Sequence, residues 1–318
     1  MKKNFLAENI GRFNERVKTH SDRNYFYSWS SFICNAVRYG CSPDDYFRYE
    51  FQKKSHSEKN KFITYRRSKK LIKTYNNSND VSKVLDKITF NKTFSKFIKR
   101  KWLDINNCTY EDFVKFIYEH QSVIIKPVSA GSGVGIWKYA YNGNDDLQNV
   151  FKKVKGSLVE QVIKQHEILS KLNPSSINTV RVMTVNDGDR VHVIACSLRT
   201  GLGDSVVDNL HAGGGAASID VKTGIVYTPA INAKLEKYLI HPSTGEKFIG
   251  LTIPNWDAVI KNVKEAASTV PDLRYLGWDV AVLDEGVELI EANHDPAHDL
   301  IQMIDQVGKY DVIQKYIK

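Results

Sequence analysis

Residues 277–293 read GWDVAVLDEGVELIEAN. Apolar and polar residues alternate on both sides of Asp284-Glu285-Gly286, so the stretch predicts an antiparallel hairpin over 276–292 with a tight turn. Counting outward from a turn centred on Glu285 sets Asp279 opposite Glu291. Asn293 shares the face of Glu291, because side chains alternate along a strand. Two carboxylates and an amide oxygen converging on one face are hard ligands that suit Mg²⁺, an ion that keeps waters and takes its other ligands from phosphates. A solvated hairpin face would carry the same letters, so the reading depends on what else the chain holds.

Upstream, Lys126-Pro127 closes the β-rich run Val123-Ile124-Ile125 and opens VSAGSGVGI, with glycines at 131, 133 and 135. A loop this poor in Cβ atoms lets backbone N–H groups approach phosphate oxygens, and a lysine at the strand end adds a point charge. The G-x-x-x-x-G-K-[ST] pattern is absent, and a strand at 135–139 follows where a dinucleotide fold would need a helix. The segment reads as a β-hairpin flap or, taken alone, as a plain glycine turn. Further strands are expected at 158–163, 179–186, 190–200 and near 217–227. Helices are expected at 81–100, at 110–120 behind a Thr109 cap, and at 256–269. Over the first 80 residues, apolar positions recur at helical spacing (Tyr25, Trp29, Phe32, Ile33, Ala36, Val37). Ser42-Pro43 marks a helix start, and Asn76–Asp80 is a polar break taken as a boundary.

The chain has 318 residues and a net charge of +9, a soluble globular composition of a length that suits roughly two domains. The charge is divided unevenly. Residues 1–100 hold 23 basic and 9 acidic side chains, a net of +14, whereas residues 101–318 hold 22 and 27, a net of −5. No apolar run approaches the roughly 18 residues of a membrane span, and the N-terminus lacks the apolar core of an export signal. Cys34, Cys41, Cys108 and Cys196 form no C-x-x-C pair, which suits a reducing cytosol. A cytoplasmic location is therefore expected. Basic residues interleaved with Tyr and Phe over 46–75 also fit a nucleic-acid-binding module, but such binding does not need the pattern in the acidic second half.

The order IIKP with its glycine flap, then LVEQV, then GWDVAV…LIEAN resembles the ATP-grasp family over about residues 81–300. Within it, the chain is similar to the sugar-transfer-associated branch found in bacterial polysaccharide loci, which the aromatic, basic N-terminal part also matches. The resemblance implies an α+β class, ATP-grasp fold of two α+β lobes enclosing ATP. Residues 1–80 would form a helical basic N-terminal domain, 81–160 the N-lobe with the flap, and 161–318 the C-lobe with the Mg-binding hairpin. ATP and Mg²⁺, as two ions, are the implied cofactors. Lys126 would contact the nucleotide phosphates, with Lys87 as the earlier nucleotide lysine and Lys92 as its fallback. Gly131, Ser132, Gly133 and Val134 would cover the phosphates. Glu160, Gln161 and Val162 match the hinge whose backbone reads adenine, and Glu167 matches the ribose ligand. Asp279, Glu291 and Asn293 match the Mg²⁺ ligands.

Many relatives carry an Arg two residues before the Asp, and here that position is Gly277, so the charge near the acyl phosphate must come from elsewhere. Arg181 and Arg199 are the candidates, since the guanidinium fork suits phosphate or carboxylate; an ordinary ion pair is the alternative. Asn209, Gly213, Gly214 and His294 are candidate substrate contacts. A zinc site at His211, His294 and His298 is not expected, because Pro296 breaks the helix that would align the last two and no cysteine is near.

The implied reaction joins a carboxylate to an amine through an acyl phosphate. The branch implies a hexuronic acid on a nucleotide sugar, lipid-linked unit or polysaccharide, amidated by an amino acid or small amine in capsule or O-antigen biosynthesis. Joining an amino-acid carboxylate to an amino sugar fits the motifs equally, and an ATP-grasp kinase keeps the fold. The expected partners are an anionic sugar and an amine, with no nucleic acid. Peripheral association with the inner membrane face would be drawn by the basic front.

Overall fold

A computed structural model describes residues 10–11, 13–18, 25–76, 79–128, 134–202 and 213–317. Two antiparallel sheets organise the chain. The smaller has four strands in the order β1-β4-β2-β3, with β1 Trp102–Asp104, β2 Ser122–Pro127, β3 Trp137–Ala140 and β4 Ser157–Gln161. The larger has seven in the order β11-β10-β5-β6-β7-β8-β9: β5 Thr179–Asn186, β6 Val191–Gly201, β7 Gly214–Ile219, β8 Ala230–Asn232, β9 Lys237–Tyr238, β10 Tyr275–Val282 and β11 Val287–Asn293. The main helices are α1 Tyr25–Tyr39, α2 Pro43–Arg48, α3 Tyr65–Tyr75, α4 Val81–Leu85, α5 Lys87–Thr93, α6 Tyr110–His120, α7 Glu167–Leu172 and α8 Trp256–Ser268.

Strand periodicity divides the large sheet into two faces. Val180 and Val182 of β5, Cys196 and Leu198 of β6, and Leu276, Trp278 and Val280 of β10 point into one core. Val259, Val263 and Ala266 of α8 and Phe90 and Phe94 cover that core. Trp278 is fully buried there, edge-on to Phe94, and its indole N–H donates to Thr184 Oγ1 at 2.9 Å. The opposite face carries Arg181, Arg199 and Asp279 at one end. At the other end Met183, Val185 and Tyr275 pack against Ile63, Leu71 and Ile313. The small sheet buries Val123, Ile125 and Val159 against Phe113 and Ile117 of α6.

The N-terminal helices thus share cores with the large sheet. Phe13, Tyr46, Phe47, Tyr49 and Phe62 cluster with Ala216, Ile231 and Leu300. Buried Gln302 accepts from the Ile63 N–H at 2.8 Å, and its amide donates to the Tyr49 hydroxyl. Asn76, read from sequence as part of a polar break, is buried: its side chain accepts from Tyr275 N and donates to the carbonyls of Tyr275 and His294.

Several expected elements differ in detail. Residues 81–100 are not one helix. The chain breaks at Asp86, whose extended backbone and side-chain cap on Thr89 N (2.7 Å) start α5 afresh, and a 3-10 turn at Ser95–Phe97 follows. Where strands are expected near 217–227, β7 ends at Ile219, Asp220 caps the N–H groups of Lys222 and Thr223 and turns the chain back, and Val226 then bridges Ile219. Strand 158–163 lies at 157–161. The Ser42 and Thr109 caps form as expected, each in a reciprocal capping box. Asn76→Ala should lower the urea midpoint through a loss of roughly 2–4 kcal/mol, because buried donors and acceptors lose their partners; an unchanged midpoint would contradict this account of the junction.

Candidate functional site

Buried strand carboxylates require cations, and two such residues face each other across the sheets. Glu160 in β4 and Glu288 in β11 are both buried, with Arg100 between them. Its Nε lies 2.9 Å from Glu160 Oε1 and its Nη1 3.1 Å from Glu288 Oε1. Glu288 Oε2 also accepts the N–H groups of Lys99 and Arg100 at 2.8 and 2.9 Å. Asn91 of α5 donates to Glu160 Oε1 and accepts from Arg100 Nη2. Lys126 Nζ stands 2.5 Å from Glu160 Oε2. Burial opposes ionisation of Glu160, but Lys126 and Arg100 outweigh it and hold the carboxyl at about 2. Arg100, Glu288 and Asn91 were not found by sequence reasoning; the charged letters inside LVEQV and VELIE were the available signal.

The second cluster lies on the hairpin. Asp279 pairs directly with Glu291, as the spacing predicts, but by a different route. The register from the turn pairs Val282 with Val287 and Val280 with Leu289. A bulge then shifts it by one residue and sets Asp279 against Glu291. Asp279 is buried between two arginines: Arg181 Nε and Nη2 lie 2.5 and 3.1 Å from its two oxygens, and Arg199 Nη1 lies 2.7 Å from Oδ2. Burial would raise the pKa of Asp279, yet Arg181 and Arg199 hold it well below the usual carboxylate range. Desolvation and then the charge of Asp279 raise that of Glu291. Asn293 Nδ2 lies 3.4 Å from Glu291 Oε1. A raised carboxyl beside a second carboxylate and an amide is a donor set that fits a hard divalent cation, which would relieve the repulsion.

Lys87 links the clusters. Its ammonium donates to the carbonyl of Pro127 at 3.0 Å, at the end of β2. Desolvation lowers its pKa, and the charges of Glu291 and Lys126 both act on it. Lys92 is exposed. β2 and β3 pair antiparallel with Ile125 opposite Trp137, the flap hairpin expected. Val134 beyond it is exposed, whereas Gly131, Ser132 and Gly133 fall outside the described residues.

β4 ends at Gln161, whose side chain accepts from Lys101 N, and Val162 is half-buried. Gln165 then bridges to Leu283 of the large sheet. Glu167 is exposed at the start of α7 and paired with Lys171 at 2.6 Å. Gly213 is exposed and Gly214 begins β7, while Asn209 and His211 lie outside the described residues. The His294 carbonyl accepts from Asn76, and His298 bonds Asp45 Oδ1 at 3.1 Å. Among the described residues no three His, Cys, Asp or Glu side chains group as metal ligands.

The family described as sugar-transfer associated ATP-grasp matches residues 66–317. The chain belongs to that family. Solved ATP-grasp proteins share a distant likeness with it. The ligase PsnB, complexed with a variant of its minimal precursor, Mg and ADP, is 14% identical with a TM-score of 0.46 over 76% of this chain and 60% of that one. D-alanyl-alanine synthetase A from Vibrio cholerae is 13% identical with a TM-score of 0.43, over 71% and 60%. The L-amino acid ligase from Bacillus licheniformis is 14% identical with a TM-score of 0.44, over 77% and 53%. The chain therefore spans about 60% or less of the length of these proteins. No curated protein matches it.

In this ATP-grasp chain the space beside Gly277 is taken by a neighbouring strand's arginine. A Cβ at Gly277 would stand 3.1 Å from Arg181 Nη1 and 3.1 Å from Pro296 Cβ. Gly277→Ala should therefore displace the guanidinium, loosening its hold on Asp279 and lowering the thermal midpoint; a midpoint equal to the parent's would show that the crowding is relieved elsewhere.

The charge clusters also set an acid limit. Glu160 and Asp279 bind a proton more weakly folded than unfolded, so the stability they supply is present above about 4.5. It is lost as pH falls from there toward about 2. Glu291 has the opposite sign and favours the folded state at low pH. Thermal midpoints should fall across that window, with a shallower slope in Glu160→Gln; an identical acid slope in the variant would contradict the assignment.

Proposed function

We propose that the chain is an ATP-dependent carboxylate–amine ligase that releases ADP and phosphate. The observation that carries this reading is the convergence of two lysines, Lys87 and Lys126, with the paired Asp279 and Glu291 at the junction of the two sheets in a member of an ATP-grasp family. Lys126 and Lys87 would hold the phosphates of ATP beneath a flap formed by Gly131, Ser132, Gly133 and Val134. The backbone at Glu160, Gln161 and Val162 would read adenine, and Glu167 the ribose. Glu291 and Asn293, with Asp279 behind them, would hold Mg²⁺, which supplies charge neutralisation at the transferring phosphoryl group when bound.

The chain's own part in the chemistry is positioning and electrostatics. A substrate carboxylate oxygen attacks the γ-phosphorus, the bond to the β-phosphate oxygen breaks, and ADP leaves. An amine nitrogen then attacks the acyl carbon, phosphate departs, and the amine loses its proton to water. Arg181 and Arg199 present fixed positive charge beside the site where negative charge builds, and they cost no reorganisation during reaction because Asp279 already orients them. The flap excludes water that would hydrolyse the acyl phosphate. No protein nucleophile is needed.

The family's association with sugar transfer supports a sugar acid as the carboxylate and an amino acid or small amine as the nucleophile, in surface polysaccharide biosynthesis. Asn209, Gly213, Gly214 and His294 would line the acceptor side. ADP release should appear when uronic acids and amines are combined with MgATP, and Asp279→Asn or Glu291→Gln should reduce it at least ~100-fold, the order of a lost electrostatic contact to the transition state. Retained turnover in both variants would remove the metal assignment, and release of phosphorylated sugar without amide would make the enzyme a kinase.

A further inference from the structure

The N-terminal helices carry an exposed feature that the proposed site does not use. α1 turns Trp29, Phe32 and Ala36 toward the aromatic core, but its outer side is apolar as well. Phe26 is 79% exposed, Ile33 52% and Val37 73%, at the i, i+7 and i+11 positions of one stripe. Ser30, Cys34 and Arg38 are exposed beside them, and a stripe of large apolar side chains this exposed marks a surface for docking.

The end of this stripe is fastened to a basic helix. Arg66 of α3 donates to the carbonyls of Val37 and Arg38, and its N–H donates to the carbonyl of Gly40 at 3.1 Å. Gly40 has φ of +69, and a Cβ there would stand 2.4 Å from Arg66 Cβ, so the two helices meet where no side chain fits. From this junction α3, sequence YRRSKKLIKTY, exposes Tyr65, Arg66, Lys70 and Lys73. Neither α1 nor α3 contains an Asp or Glu.

We propose that α1 and α3 form a docking face for an anionic lipid surface, with Phe26, Ile33 and Val37 entering the headgroup region and Arg66, Lys70 and Lys73 resting on the phosphates. An apolar stripe joined at its end to a helix whose own charged side chains are all basic matches a surface of the opposite sign, although Lys69 of that helix is paired with Asp295. Binding of this kind draws on apolar burial and electrostatic attraction together. On the proposed function, a face of this design would hold the site of the same chain close to substrates anchored in the bilayer.

Sedimentation of the full chain with vesicles tests this. The chain should pellet with phosphatidylglycerol-containing vesicles at about 0.1 M salt, stay in solution with pure phosphatidylcholine, and be released at about 1 M, where the screening length drops from ~10 to ~3 Å. Lys70→Gln and Lys73→Gln should each lower the partition coefficient about five-fold. Phe26→Glu with Val37→Glu should abolish pelleting while melting temperature and ADP release in solution stay unchanged. The proposal is overturned if the parent chain ignores anionic vesicles, or if these variants pellet like the parent. It is also overturned if the Phe26/Val37 variant converts a lipid-free dimer to a monomer, which would give the face to a second copy of the chain.

Discussion

A single buried guanidinium, that of Arg100, ties the four-stranded sheet to the seven-stranded one. It reaches Glu160 on one side and Glu288 on the other, and each carboxylate has further donors that complete its shell. Taking three charges out of water is costly, and mutual attraction offsets that cost only when the remaining lone pairs and protons are also satisfied. Here Asn91, the backbone N–H groups of Lys99 and Arg100, and Lys126 supply most of these partners. Removing one member strands the others, with losses on the order of 3–5 kcal/mol. The junction therefore has one preferred geometry, and Lys126 is part of it.

The second sheet face follows from the same constraint. Because Glu288 is fixed, β11 is fixed, and the bulge beside Asp279 then decides which face Glu291 and Asn293 occupy. Strand order supplies the arginines: β10 lies next to β5, with Asp279 opposite Arg181, and β6 brings Arg199 alongside. The N-terminal helices complete this face at its other end, where Asn76 holds both β10 and the start of the loop after Asn293. His298 in that loop is held by Asp45 of α2; burial opposes its protonation, but Asp45 prevails and raises its pKa.

What the letters disclosed was local. Alternation around Asp284-Glu285-Gly286 located the hairpin, and capping residues located α2 and α6, because both signals act over a few residues. The ATP-grasp membership was legible for the same reason, through short motifs in order. The break at Asp86 was hidden because an aspartate that caps reads like one in a helical run until its backbone is seen. Arg100 was hidden because it sits between a 3-10 turn and β1, where no periodicity marks a buried side. The Arg181–Asp279 contact joins residues 98 positions apart and depends on strand order, which alternation does not encode.

If Lys126 holds the nucleotide phosphates as proposed, its buried partner Glu160 positions it for that contact, and a double-mutant cycle read in the dissociation constant for MgADP tests this most directly. Lys126→Ala should weaken binding by roughly tenfold or more, the size of a charged hydrogen bond. Glu160→Gln should weaken it through Lys126, so the double variant should bind about as poorly as Lys126→Ala alone. Single variants that bind like the parent, or losses that simply add in the double variant, would contradict the account.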